Sequence, residues 1–256
     1  MNVDDEMIFR LETLAIEAGE AIMNIYAEDF IPTYKDDYSP VTEADTLAER
    51  MIVAGLAEMT PDVPVVAEEA FAAGHSPDIS GGRFWLVDPL DGTHEFIDKN
   101  DEFTVNIALI DKQRPIFGTV HAPALDKTYS GIVGTGARIR VNGAAHSEIK
   151  VRPVPEAGVV VVASRRHGDP RKIKNLLEGR QVSETKNAGS SLKFCLVAEG
   201  EADVYPRFGR TMEWDTAAGQ AVLEAAGGRV TKLDGTPLVY AKKGFENPHF
   251  IARGDL

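Results

Sequence analysis

Asp88-Pro89-Leu90-Asp91-Gly92-Thr93 puts two carboxylates and a hydroxyl within six residues, where an extended segment gives way to a helical one. The preceding Arg83-Phe84-Trp85-Leu86-Val87 is aromatic and β-branched, which suits a buried strand. Thr93-His94-Glu95-Phe96 opens a short helical segment. Pro89 has no N–H to give to a ladder, so the strand is expected to end there, with Asp88 pointing from its carboxyl end. Gly92 lets the backbone approach a ligand without a Cβ in the way. Carboxylates at a strand's end, beside free N–H groups at a helix start, can hold a metal ion and a phosphate together. The same letters also serve an Asp-rich turn with a capping threonine. Acidic residues elsewhere in the chain must decide between the two.

Asp45, Glu68 and Asp215 also stand at element boundaries. Hard cations such as Mg²⁺ take oxygen ligands and keep several waters, so dispersed carboxylates with a backbone carbonyl are the right chemistry. Two ions sharing carboxylates at ~3.5–4 Å can clamp the attacking and leaving oxygens of an in-line phosphoryl displacement. Each residue has a structural alternative. Asp45 suits the first turn of a helix through the helix dipole, Glu68-Glu69 a solvated strand end, and Asp215 a helix N-cap. Their coincidence with Asp-Pro-Leu-Asp-Gly-Thr favours a metal site. Zinc is disfavoured, because the six histidines have no ligand-like spacing and there is one cysteine.

The elements that must position these residues follow from the apolar pattern. Met7, Leu11, Leu14, Ala18, Ala21, Ile22 and Ile25 predict an amphipathic helix over 6–28. Leu47, Met51, Ile52, Leu56 and Met59 predict another over 42–59, with Thr42 as its N-cap. A short strand is expected at 63–67, ending in Glu68-Glu69, and an exposed loop at 72–82. Residues 103–110 and 115–120 read as a hairpin, with further strands at 128–133 and 137–141 before the Asn142-Gly143 turn. Past 150 the pattern resets: strands at 159–163 and 202–205, and helices at 170–177, 190–199 and 213–226. Two sub-domains, 1–150 and 151–256, are expected to meet near 145–155 in layered sheets and helices.

The 256 residues carry 27 Lys and Arg against 40 Asp and Glu, a net charge of −13. This balance argues against a nucleic-acid polymer as partner and against a basic membrane-binding surface. It leaves room for an anionic small molecule, since a metal ion on a carboxylate cluster reverses the local sign. Cys195 is the single cysteine and lies in an apolar helical run, so it is expected in a core and in a reducing compartment. No uncharged run reaches membrane-spanning length, and the expectation is a cytoplasmic protein without an integral membrane segment.

The hexapeptide, Val41-Thr42-Glu43-Ala44-Asp45, Ala67-Glu68-Glu69, Trp214-Asp215-Thr216-Ala217-Ala218-Gly219 and Glu224-Ala225-Ala226-Gly227-Gly228 resemble the signatures of the inositol monophosphatase superfamily, in the same order over residues 35–230. The resemblance implies an α/β layered sandwich (αβαβα), as in the inositol monophosphatases and fructose-1,6-bisphosphatases. It implies a Mg²⁺-dependent, lithium-sensitive phosphatase with two or three ions, Mn²⁺ being a substitute. It assigns the metal to Glu68, Asp88, the Leu90 carbonyl, Asp91 and Asp215, and orientation of the attacking water to Asp45 and Thr93 with Glu68. The N–H groups of Gly92 and Thr93 would hold phosphate oxygens, and Asp215 would touch the substrate as well as the metal.

Within the superfamily, Gly189-Ser190-Ser191-Leu192-Lys193-Phe194-Cys195, Ala202-Asp203-Val204-Tyr205-Pro206-Arg207-Phe208 and Ser164-Arg165-Arg166-His167 look like the CysQ-type 3′(2′),5′-bisphosphate nucleotidases. That group removes the 3′-phosphate of adenosine 3′,5′-bisphosphate (PAP). A second phosphate needs a cationic cradle, for which Ser190, Lys193 and Arg207, with Arg165 and His167, are the candidates. His94 and Arg166 depart from the group's pattern. An inositol-1-phosphate or broader sugar-phosphate phosphatase is the alternative within the enzyme class. A non-catalytic nucleotide or phosphate sensor is the alternative outside it. The resemblance admits a monomer or a homodimer, and an association with the inner membrane that nothing in this acidic chain supports.

Overall fold

The computed structural model describes residues 3–28, 31, 33–34, 40–165, 170–177 and 179–256. The first half runs α1 (Asp5–Tyr26), β1 (Thr33–Tyr34), β2 (Pro40–Val41), α2 (Glu43–Met59), β3 (Val65–Ala67), α3 (Glu68–Ala72), β4 (Arg83–Asp91), α4 (Thr93–Ile97), β5 (Thr104–Asp111), β6 (Arg114–Ala122), β7 (Lys127–Ile132), β8 (Gly136–Val141) and β9 (Ser147–Ile149). The second runs β10 (Val159–Ala163), α5 (Pro170–Leu176), β11 (Val182–Asn187), α6 (Leu192–Ala198), β12 (Val204–Arg207), α7 (Trp214–Ala225), β13 (Arg229–Lys232) and β14 (Phe250–Arg253).

Two large sheets result. One takes its seven strands in the order β3 to β9, and the other five in the order β11-β10-β12-β14-β13. Period-two alternation assigns their faces. Along β4, Phe84 and Leu86 enter one core while Trp85 and Val87 enter another with Leu11, Ile22, Ile52 and Leu56 of α1 and α2. Along β10, Val160 and Val162 join the core of Phe84, with Phe194 and Cys195 of α6 and Ala218 of α7. Val159 and Val161 face the other way, onto Ile173 of α5. The layers are α1/α2, sheet, α6/α7, sheet and α5: the αβαβα sandwich.

Close packing fixes the middle layer. A Cβ on Gly118 of β6 would lie 2.4 Å from the Ala218 carbonyl oxygen, so α7 rides directly on that strand. Cys195 is fully buried, as expected of a small core residue. No helix among the described residues is long and apolar enough to cross a membrane.

The sequence reading of β4 needs correction. The strand does not stop at Pro89 but continues to Asp91. Pairing with β5 passes from Asp88↔Asn106 to Asp91↔Thr104, three steps against two. The extra residue is a bulge, and a bulge is where a strand tolerates a proline without an N–H. Glu68-Glu69 likewise does not end a strand in solvent. It opens α3, where Glu49 accepts the N–H groups of Glu69 (2.7 Å) and Ala70 (2.8 Å).

His121 on β6 is packed beneath Gly19 of α1, where an added Cβ would lie 2.6 Å from its ring, and its Nδ1 is 2.9 Å from Thr128 Oγ1. Burial pulls its pKa from 6.5 down to about 4. The unfolded chain therefore takes up a proton that the folded chain refuses, and stability is lost as pH falls from 6.5 towards about 4. The full loss from this residue is about 3 kcal/mol. Thermal midpoints across that window should fall less for His121→Asn than for the parent. Equal slopes would remove His121 as a source of acid instability.

Candidate active site and metal centre

The bulge brings both β4 carboxylates to one cavity of about 290 Å³, with Glu68 at the start of α3 and Asp215 in the first turn of α7. Carboxylate oxygens of Glu68, Asp88 and Asp215 lie within 4.8 Å of one another. Two of the three are held from behind by backbone N–H groups. Asp88 Oδ1 accepts the N–H of Leu90 at 3.0 Å, and Asp215 Oδ2 that of Met212 at 2.8 Å. Asp91 accepts the backbone N–H of Ser191, which ties β4 to the start of α6.

Burial and mutual repulsion act together on this set. Asp88 is pushed well above the usual carboxylate range, first by burial and then by Glu68, Asp91 and Asp215. Asp215 is pushed up likewise, by burial, Asp91 and Glu68. Asp91 is pushed up to about 6 by burial, which the nearby Lys193 opposes. Buried carboxylates that repel one another are costly until a cation joins them. The donors are all hard oxygens, so the set fits Mg²⁺.

Asp45 is buried and serves two partners at once. As third residue of α2 it completes a capping box, its Oδ2 accepting both the N–H and the hydroxyl of Thr42 at 2.7 Å. Its Oδ1 lies 3.3 Å from Thr93 Oγ1, which is also 3.3 Å from the Leu90 carbonyl oxygen. The helix-start contact and the contact to Thr93 therefore belong to one side chain. The hydroxyl proton is directed inward, onto Asp45 or Leu90, and the Thr93 lone pairs remain to accept from water.

Gly92 turns β4 into α4 with φ +93°, a left-handed value that favours glycine. A Cβ there would lie 3.3 Å from Glu102 O, Glu95 Oε2 and Ser190 Cβ, so the turn is closely packed as well as bent.

The opposite wall comes from the second half of the chain. Ser190, Lys193 and Arg207 all line the cavity. Lys193 is 3% exposed, donates to the carbonyls of Ala188 (3.3 Å) and Ser190, and lies 5.3 Å from the Tyr205 ring centre. Burial pulls its pKa down to about 8, against the attraction of Asp91. Arg207 donates through Nη2 to the Arg210 carbonyl at 2.9 Å, and among the described residues its Nε is buried without a hydrogen-bond partner. Arg165 is paired with Glu102 in a two-point contact. His94 is on the exposed lip. His167 and its neighbour Arg166 lie outside the described residues.

Several residues of the site carried no sequence signal of their own. Glu102 receives Gly189 N–H at 2.7 Å and Arg165, and so anchors the turn that presents Ser190. Ser191 Oγ donates to Asn106 Oδ1 at 2.7 Å and lies 2.8 Å from Thr104 Oγ1. Tyr205 and Glu95 complete the lining. Tyr205 stood inside a quoted motif, but its place beneath Lys193 depends on long-range packing.

The model of the inositol monophosphatase family matches residues 4–252. The chain belongs to the inositol monophosphatase family. It is similar to the 3′(2′),5′-bisphosphate nucleotidase CysQ of Escherichia coli (strain K12), with 46% identity over 247 residues, 95% of this chain and 98% of that protein. The protein of the same name from Buchnera aphidicola subsp. Acyrthosiphon pisum is 40% identical over 258 residues, 98% of this chain and 95% of its own length. Among solved structures, CysQ from Bacteroides thetaiotaomicron superposes with a TM-score of 0.81 at 38% identity, covering 95% of each chain. An inositol monophosphatase-family enzyme (IMPase) from Thermotoga maritima does so at 0.78 and 27%, covering 99% of this chain and 93% of that one. Membership of the family implies dependence on Mg²⁺ and a small phosphorylated substrate, and Glu68, Asp88 and Asp215 form the acidic cluster able to hold the ion.

Proposed function

We propose that this protein is a 3′(2′),5′-bisphosphate nucleotidase that removes the 3′-phosphate of PAP, releasing AMP and inorganic phosphate. One observation carries the reading: a buried carboxylate cluster and a Thr93–Asp45 pair face Lys193 and Arg207 across a single cavity, in a chain 46% identical to proteins of that activity. Glu68, Asp88, the Leu90 carbonyl, Asp91 and Asp215 hold the Mg²⁺ ions. The chemistry Mg²⁺ supplies when bound is acidification of water and neutralisation of charge on the phosphoryl and leaving oxygens. Mn²⁺ substitutes, having the same preference for hard oxygens, and Li⁺ inhibits.

The chain's own residues do the rest. Thr93 Oγ1 accepts a hydrogen bond from the attacking water while its proton lies towards Asp45 Oδ1, which raises its basicity. The backbone at Gly92 and Thr93 faces the phosphoryl oxygens. Ser190, Lys193 and Arg207, with Arg165 and His167, take the second phosphate. Arg207 Nε is the strongest support for that assignment, as a buried guanidinium N–H with no acceptor among the described residues. Residues 1–150 supply most of the metal and phosphate machinery, and residues 151–256 supply Asp215 and substrate recognition. We place the protein in the cytoplasm, as a monomer or homodimer.

The test is phosphate release from PAP, inositol-1-phosphate and fructose-1,6-bisphosphate, with and without Mg²⁺ and Li⁺. PAP should have the largest kcat/KM by at least about tenfold, the worth of a well-made charged contact. A preference for inositol-1-phosphate would overturn the nucleotidase assignment. No turnover on any substrate would leave a sensor.

A further inference from the structure

The outer face of the five-stranded sheet carries a group of arginines away from the catalytic cavity. In β14, Phe250 and Ala252 point into the central core, and Ile251 packs against the outer core beneath α5. Arg253 therefore projects from the outer face. Its neighbour on one side is Val204, which belongs to that outer core. On the other side Arg229 of β13 lies directly opposite. Two like charges facing each other across an antiparallel pair repel and weaken the pairing. Arg180, from the loop before β11, adds a third charge close enough to act on Arg253.

Among the described residues, the side chains of Arg180, Arg229 and Arg253 have no ion pair or hydrogen bond, and Arg253 Nε is buried without a partner. Burial first, and then Arg229 and Arg180, hold Arg253 below its ordinary pKa. In a chain of net charge −13, carboxylates to pair with arginine are plentiful. Three arginines left together without one are the arrangement that a tetrahedral dianion satisfies through guanidinium N–H groups.

We infer that Arg180, Arg229 and Arg253 form a binding site for a phosphate-class oxyanion on the outer face of the five-stranded sheet. The site is remote from the reaction. Arg253 pairs with Val204 at the start of β12, whereas the catalytic Arg207 stands at that strand's other end. An anion here bridges the edge strand β13 to β14 and to the loop leading into β11, and so reinforces this face of the sheet.

The probe is inorganic phosphate, titrated by calorimetry into the full-length protein with Mg²⁺ in a low-salt chloride buffer. The parent should bind one more equivalent than the Arg229→Gln/Arg253→Gln variant, whose turnover and inhibition by phosphate should match the parent's. Phosphate should raise the parent's thermal midpoint and leave the variant's less changed. Without phosphate the variant should be at least as stable, because the facing charges are gone. Should the double variant fail to fold, Arg180→Gln, in an exposed loop, should weaken this equivalent about tenfold. Sulfate and AMP arms separate the sources: competition by sulfate alone marks a free-ion site, and competition by AMP marks one that takes a nucleotide-borne phosphate. Equal stoichiometry and affinity in parent and variants would overturn the inference, whichever substrate the catalytic site turns over.

Discussion

Asp88→Asn should cost about a thousandfold or more in turnover, while the metal-free protein becomes no less stable. Asp88 is 1% exposed and has carboxylates on every charged side, Glu68, Asp91 and Asp215. Asparagine has the same shape, and its Oδ1 can still accept the Leu90 N–H that now binds Asp88 at 3.0 Å. The substitution removes a like charge from a buried cluster without opening a cavity. On the proposed assignment it also removes an oxygen anion from the set that holds the cation. Turnover and the shift of thermal midpoint on adding Mg²⁺ separate the two effects. The parent should gain stability with Mg²⁺, and the variant should start at least as high but gain much less. A variant that keeps a tenth of the parent's turnover would take Asp88 out of the ligand set.

Lys193→Met should lower both stability and turnover, for the opposite electrostatic reason. Lys193 is a buried cation facing Asp91, and its Nζ holds the carbonyls of Ala188 and Ser190. The turn it holds is strained, with Ser190 at φ +43°. Methionine fills the volume but leaves Asp91 without its compensating charge and frees two carbonyls. Loss of one partner of a buried pair costs about 3 kcal/mol. The kinetic effect should divide between kcat, through Asp91, and KM, through the displaced Ser190. Lys193→Arg should not restore activity, since a planar fork cannot take the place of a point charge between two carbonyls. Parent-like stability and kinetics in Lys193→Met would make the residue a passive filler.

Much of this fold was legible because the amphipathic helices and alternating strands bury large apolar surfaces. The stripe of Leu11, Leu14, Ala18 and Ile22 leaves little choice but a helix on a sheet. Elements that bury little left no such trace. Strand β11 reads Val-Ser-Glu-Thr-Lys-Asn and is nearly all exposed. It is a strand because β10 beside it offers backbone groups in register, which no local pattern encodes. Strands β13 and β14 escaped for the same reason, being four residues each and paired to one another across a long loop. At the site, the clustered carboxylates were readable because acidic residues at element ends are conspicuous in sequence. The Pro89 bulge was not, because its cause lies in the pairing with β5. Nor could the sequence say which face of α6 carries Lys193. Its burial against Tyr205 and Asp91 emerges only when the two halves of the chain pack together.

The chain separation of the three clustered carboxylates has a consequence for the protein's lifetime. Asp88 and Asp215 are 215 − 88 = 127 positions apart, yet their oxygens meet within the span of one ion. With a single cysteine, this chain has no means of forming an intrachain disulfide. An ion held between those residues ties together the two stretches that a disulfide there would tie, but it acts by binding the folded chain, because the unfolded chain has no such site to offer. Unlike sulfur chemistry, this tether is set by concentration and reverses freely. Resistance to proteolysis would then follow the surrounding supply of magnesium, even in molecules that never meet a substrate.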